Sequence, residues 1–416
     1  MKKIYSTLFF TVALMLLGSQ ISLATDGYFS LGYGTKSKGM AGAGVAIYSN
    51  SLIGGNPAAN VFLGKEFSIG IGLFSPNREY TVSGNPTGAP YFGLTPGTVS
   101  SDKPLFLIPS IGGNWMINET SAFGFSIYGN GGMNTNYPTK TFNDPRAPVT
   151  SPTGINLSQL FSEITYSVKI NKNHSIGVSA IGAYQMFEAT GLQAFMGMSS
   201  APTKLTNNGT DNSFGFGLKI GYLGRISDKL SLGAKYQSRI YMSEFKNYEG
   251  LFAQKGDFDV PSSWTVGLAY KLTKDLNLAF DVKQILYATV KSVANTFSNN
   301  PLGADNGPGF GWKNMMVYKL GMEYSSSKNW VWRAGYSYGT QPIPSSQMTF
   351  NILAPGVSQN HLAAGFTRNL DGKIKGINLS LMYSPVNTVS GPNNMDPAQK
   401  IELKMSQLEL ELGLTF

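Results

Sequence analysis

The last nine residues, Leu408 to Phe416, alternate without a break. Leu408, Leu410, Leu412, Leu414 and Phe416 are apolar, and Glu409, Glu411, Gly413 and Thr415 are small or polar. Side chains on a strand point to opposite faces at period two, so this segment has one greasy face and one wet face. Chain ends of soluble domains usually fray. A strand running to an aromatic last residue suggests a transmembrane β-barrel that closes on its final strand, with lipid-facing and lumen-facing residues in alternation. One amphipathic strand does not carry that reading, and the rest of the chain has to repeat it.

It does repeat. Apolar alternation recurs at 67–73, 105–111, 123–127, 164–170, 176–184, 214–222, 230–236, 264–270, 276–282, 316–324, 330–338, 362–366 and 377–383, and the C-terminal strand is the fourteenth. Short connections (117–120, 171–174, 227–228, 273–275, 325–328, 369–373) alternate with long ones (76–104, 133–160, 190–212, 243–260, 290–311, 340–358, 386–403). Short periplasmic turns alternating with long extracellular loops is the barrel pattern. The fold expected is an all-β, transmembrane antiparallel barrel of about 14 strands. Tyr184, Tyr222, Trp264, Tyr270, Tyr324 and Trp330 at strand ends fit aromatic girdles. Lys219, Lys235, Asp281, Lys283, Lys319, Glu323 and Arg333 occupy inward positions.

Residues 1–24 read as a secretory signal. Lys2 and Lys3 supply the charge, 8–17 is the apolar stretch, and Ser22-Leu23-Ala24 is a small-residue cleavage site. That stretch is shorter than the ~20 residues of a spanning helix, so the mature chain is expected to start at Thr25. With 49 Gly, 21 Tyr, 25 Phe and 13% charged residues, the composition suits a bilayer-facing surface. There are no cysteines, hence no disulfide framework or thiol chemistry. The formal charge of +9 is spread thinly, without the basic cluster of a nucleic-acid site.

Residues 25–64 do not alternate. They are rich in small residues, yet carry Tyr28, Phe29, Tyr33, Met40, Val45, Ile47, Leu52 and Ile53, which a disordered tail would not. Such a segment has to pack somewhere dry, and the lumen of a wide barrel is the obvious place. The domain reading is a signal peptide (1–24), a lumenal plug (25–64) and a barrel (65–416).

Gly39-Met40-Ala41-Gly42-Ala43-Gly44-Val45-Ala46, followed by Asn56-Pro57-Ala58, resembles the N-terminal hatch of the FadL family of outer-membrane transporters for long-chain fatty acids and other hydrophobic compounds. The stretch 123–137 is similar to that family's third strand, and 232–239 and 266–270 resemble its middle strands. The resemblance implies a monomeric, hatch-plugged barrel. A hydrophobic ligand would be captured in an apolar groove between long loops, pass to a site by the hatch and leave sideways where the third strand is kinked. Asn130, Gly131 and Gly132 fall at that place, and paired glycines suit a bend or an interrupted ladder. Valines at Gly131 and Gly132 are expected to block uptake without blocking binding. Leu157, Leu160 and Phe161 end one long loop, and Leu192, Phe195, Met196 and Met198 open the next. With Tyr28 and Phe29 they are the expected ligand-binding residues, since apolar clusters on outward loops need a reason. No basic residue aligns with a carboxylate partner, so neutral aromatic hydrocarbons stand beside fatty acids.

Chemistry is not expected. His174 and His361 fall at opposite ends of the barrel, and there is no metal-ligand spacing, nucleophile elbow or phosphate loop. No cofactor is called for. A general diffusion porin is the serious rival. Expected partners are hydrophobic small molecules, outer-membrane lipid and lipopolysaccharide, and the barrel-assembly machinery through the C-terminal strand.

Overall fold

In the computed structural model, which describes residues 26–49, 52–144 and 148–416, the alternating segments form one antiparallel sheet. The expected signal peptide and the expected start at Thr25 lie outside the described residues. The wall strands are β1 (Glu66–Ser83), β2 (Phe106–Met116), β3 (Ser121–Asn136), β4 (Gly154–Lys169), β5 (His174–Thr190), β6 (Asp211–Arg225) and β7 (Leu230–Gln237). They continue as β8 (Ser263–Lys271), β9 (Leu276–Ile285), β10 (Met315–Ser327), β11 (Trp330–Gly339), β12 (Asn360–Asn369), β13 (Gly376–Asn393) and β14 (Asp396–Thr415). Two short pieces, Gly97–Ser100 and Tyr241–Met242, pair onto β1 and β6. β14 pairs with β13 on one side and with β1 on the other, so the sheet closes into a barrel of 14 strands.

The pleat decides which residues face where. On β14, Leu408, Leu410 and Leu412 are 47%, 42% and 46% exposed, while Glu409 and Glu411 are buried in the lumen. On β6, Phe214, Phe216, Leu218 and Ile220 form an exposed apolar ladder that water would not tolerate and hydrocarbon would.

One expected long loop is not a loop. β13 and β14 run on past the membrane band and turn through residues 394–395, so most of 386–403 is strand. β1 likewise reaches Ser83, β3 reaches Asn136 and β4 begins at Gly154. Beyond the lipid there is no hydrocarbon to demand an apolar outer face, so the ladder persists where the hydrophobic alternation fades.

The N-terminal segment lies inside. Its helical turn Thr35–Lys38 packs on β12, β13 and β14, and the turn Pro57–Phe62 packs on β3, β4, β5 and β6. Gly42 sits at φ +75°, and a Cβ there would stand 1.9 Å from the carbonyl oxygen of Leu31. Only glycine allows that crossing of the chain over itself. Asn56 donates to the carbonyls of Val45 and Tyr222, both at 2.9 Å, and accepts from the amide of Ala58 at 3.1 Å. It thereby ties the segment to its own turn and to β6.

Candidate functional site

The barrel wall is interrupted between β2 and β3. β1 and β2 stay paired up to Phe74 opposite Phe106, but the β2–β3 ladder stops at Ser110 opposite Tyr128. Just above, β3 bulges: Gly129 pairs with Leu160 and Gly131 with Gln159, leaving Asn130 as the extra residue. A bulge bends its strand and breaks its ladder on one side. Asn130 is held by its side chain, which accepts from the Tyr33 hydroxyl at 2.5 Å and donates to Gln159 at 2.8 Å.

Because β2 has peeled away, the upper edge of β3 needs other partners. The N-terminal segment supplies them. Ser30 N–H donates to the Asn130 carbonyl at 2.8 Å, and Gly132 N–H donates to the Tyr28 carbonyl at 3.0 Å. Phe29 and Gly131 form the bridge between these two bonds. Higher up, the Arg78 guanidinium donates to the Asn134 carbonyl and Asp102 N–H donates to the Asn136 carbonyl at 2.8 Å. The edge of β3 is therefore capped from within by side chains and loop backbone rather than by a strand.

Tyr28 and Phe29 sit under an aromatic roof. Tyr28 lies 5.1 Å from the Tyr287 ring, 5.8 Å from Trp312 and 6.1 Å from Phe258, all from the long loops. Above them is an apolar cavity of about 30 Å³ lined by Leu192, Phe195, Phe187, Phe252 and Phe350. Beside them, at the wall opening, a second cavity of about 20 Å³ is lined by Tyr28, Phe74, Arg78, Gly132, Asn134 and Trp312. In the loop over this region, burial, then the neighbouring Asp259 carboxylate, pushes Asp257 up to about 7, against the pull of Arg239 at 3.5 Å.

Charged groups anchor the N-terminal segment from below. Asp26 binds Lys283 at 2.9 Å and Lys319 at 3.1 Å, and Lys283 also stands over the Phe29 ring. Lys38 inserts between Glu409 and Glu411 on β14, and Thr35 donates to Glu411 at 2.7 Å. Asp281 accepts the amides of Gly44 and Val45 at 2.8 and 2.9 Å. Lys219 pairs with Glu163, which also accepts from Tyr128. A cavity of about 60 Å³ lies against the segment, lined in part by Phe29, Lys219, Lys235, Asp281, Lys283 and Lys319. Lys235 differs from its neighbours. Among the described residues no carboxylate is within ion-pair distance, and its hydrogen bond to Gly54 O is long, at 3.5 Å.

Tyr28, Phe29, Leu157, Phe161, Leu192 and Phe195 fall in one buried cluster, with Met196 and Met198 packed against it. Leu192 and Phe195 are 1% and 2% exposed, so the two loops close over each other. Leu160 is not with them. It shares the outward face of β4 with the exposed Ile164 and Tyr166, because Phe161 and Glu163 take the inward positions. Of the N-terminal motif, Met40 and Ala58 are buried, Gly39 lies against Gly365, and Gly44, Asn56 and Pro57 touch the wall. The expected effect of valine at Gly131 also changes. A Cβ there would stand 1.7 Å from the Tyr28 carbonyl oxygen, so it points at the N-terminal segment and not across an exit. His174 hydrogen-bonds Tyr222 at 2.8 Å, and His361 is buried on β12.

Asp26, Arg78, Tyr287, Trp312, Glu409 and Glu411 belong to the site without standing out in the sequence. Asp26 carries a signal: it is the one acidic residue in 25–64, and inward lysines stand on the wall strands at 283 and 319. Arg78 lies in the stretch 76–104, which reads as loop in the sequence.

A family model described as outer membrane protein transport protein (OMPP1/FadL/TodX) matches residues 27–390. No curated protein matches the sequence. Among solved structures, the fold is similar to the Pseudomonas putida toluene transporter TodX, at 18% identity and TM-score 0.64, covering 92% of this chain and 98% of that one. It is similar to a Pseudomonas aeruginosa FadL homologue at 15% identity and TM-score 0.69, covering 94% and 99%. It is similar to the Ralstonia pickettii toluene transporter TbuX at 17% identity and TM-score 0.63, covering 92% and 98%.

Proposed function

This chain belongs to the OMPP1/FadL/TodX family of outer-membrane transport proteins, and from that premise we propose that it takes up long-chain fatty acids by sideways release through its wall. The ligand is captured by the apolar cluster under the extracellular loops, at Leu157, Phe161, Leu192, Phe195, Met196 and Met198. It passes to a site at Tyr28 and Phe29, where residues 25–64 act as a hatch inside the barrel of 65–416. It leaves between β2 and β3, at Asn130, Gly131 and Gly132. The observation that carries this reading is the break in the β2–β3 ladder beside the buried aromatic cluster. A route straight down the lumen would have to displace the segment held by Asp26 and Lys38.

Lys235 favours a carboxylate over a neutral ligand. It faces the cavity next to Phe29 without an acidic partner among the described residues, so a ligand head group there would gain a charge-assisted hydrogen bond. Uptake of neutral aromatic hydrocarbons by the same route is the second reading, favoured by the toluene transporters among the structural neighbours.

Uptake of a labelled long-chain fatty acid, toluene and a small sugar separates these. Saturable fatty-acid entry without sugar flux is expected. Lys235→Met is expected to raise the half-saturation concentration for the acid roughly ten- to hundredfold, the value of a hydrogen bond to a charged group, and to leave toluene unchanged. Saturable toluene entry indifferent to Lys235→Met would favour the hydrocarbon reading. Sugar flux without saturation would make the protein a general porin.

A further inference from the structure

Arg78 is a buried cation with an unusual set of partners. It projects inward from β1, is 5% exposed, and lies over the Phe106 ring at 5.4 Å. Its two terminal nitrogens donate to the Asn134 carbonyl on β3 and to the Lys103 carbonyl in the connection before β2. Its Nε has no partner, and among the described residues no carboxylate is within ion-pair distance. The side chain therefore spans the wall opening, from the β1–β2 side to the free edge of β3. It also lines the small cavity that Tyr28 and Trp312 close from the other side.

A buried guanidinium satisfied by neutral carbonyls is poorly compensated. A carboxylate offers it two parallel charge-assisted bonds, roughly twice as strong as neutral ones. We propose that Arg78 is a carboxylate-operated latch on the wall opening. This rests on the sideways-release reading. An acid arriving beside Tyr28 takes the guanidinium from Asn134 O and Lys103 O. The β3 edge then loses one of its ties to the β1–β2 side, with Ser101 and Asp102 still bound to Asn136, and the opening widens. A neutral hydrocarbon brings no competitor for those two bonds and leaves the latch shut. Arg78 would then select at release, on the opposite side of the lumen from Lys235.

The chain has no cysteine, so two introduced ones can be spin-labelled uniquely. One is Leu105→Cys, 60% exposed before β2, and the other is Asn136→Cys at the top of β3. The full-length protein in lipid is titrated with oleate or with oleyl alcohol, and the label-to-label distance is read by pulsed EPR. The expected result is a longer distance with oleate and no change with the alcohol. Arg78→Gln is expected to give the long distance without ligand and to ignore both compounds. Should that variant not assemble, Arg78→Lys keeps the charge without the planar fork and is expected to need more oleate for the same change. Equal responses to acid and alcohol, or no response to either, would overturn the latch. Uptake that survives deletion of Asn130 would count against sideways release alone, since the oleate-dependent distance is read independently of transport.

Discussion

Gly131→Val is expected to detach Tyr28–Ser30 from the wall and make the barrel leak. The Cβ of any residue there would overlap the Tyr28 carbonyl, and no rotamer change relieves a clash with backbone. The Phe29 bridge would go, with the hydrogen bonds from Ser30 to Asn130 and from Gly132 to Tyr28. Each such bond is worth about 0.5–1.5 kcal/mol net, and leaving its buried partner unsatisfied costs about 1–3 kcal/mol. The barrel itself is expected to survive, because Gly131 stays paired with Gln159 on β4. Planar-bilayer recordings check this. The variant is expected to show open-channel current and small-solute leak where the parent shows little. Gly131→Ala is expected to behave likewise, because the first side-chain carbon already clashes. A tight, non-conducting Gly131→Val would mean that the Tyr28–Ser30 contact does not seal the wall.

Asp26→Asn is expected to have a comparable effect, from a position two residues before Tyr28 in the same segment. It keeps the shape and removes the charge that neutralises Lys283 and Lys319. Breaking a buried pair by removing one partner typically costs about 3–5 kcal/mol, because the charge left behind stays buried. Here two lysines are left. Lys319 would still reach the Leu31 carbonyl and Lys283 the Phe29 ring, so the cost falls on the residues around 26–31. Limited trypsin digestion of the protein in lipid is the check. Cleavage after Lys36 or Lys38 is expected in Asp26→Asn and not in the parent, where Lys38 is 4% exposed. The heat needed to unfold the barrel is expected to change little, since its ladders are made between wall strands.

The two substitutions act at positions that differ in how far the sequence reveals them. All the wall strands are legible because hydrocarbon imposes a strict rule on every second residue, and Leu408, Leu410 and Leu412 obey it openly. That rule lapses above the membrane, which is why the 386–403 hairpin reads as loop and why the stretch that holds Arg78 does too. The glycine pair at 131–132 is legible as a weakness in a strand, but its target is not. Only the folded chain brings the Tyr28 carbonyl to it from about a hundred residues away. Asp26 belongs to a segment without period, whose position is set by charges on β9 and β10. Leu160 adjoins Phe161 in the sequence, but the pleat puts neighbours on opposite faces.

Deletion of Asn130 tests sideways release most directly. The bulge is one residue deep, and Gly129 and Gly131 already pair with consecutive residues of β4, Leu160 and Gln159. Removing Asn130 would leave every other side chain of β3 on its present face and let the β2–β3 ladder continue upward. The measurement is fatty-acid uptake alongside equilibrium binding in the same preparation. Uptake is expected to fall to that of cells lacking the protein while binding is retained. Uptake at the parental rate from a protein whose wall has been closed in this way would contradict sideways release.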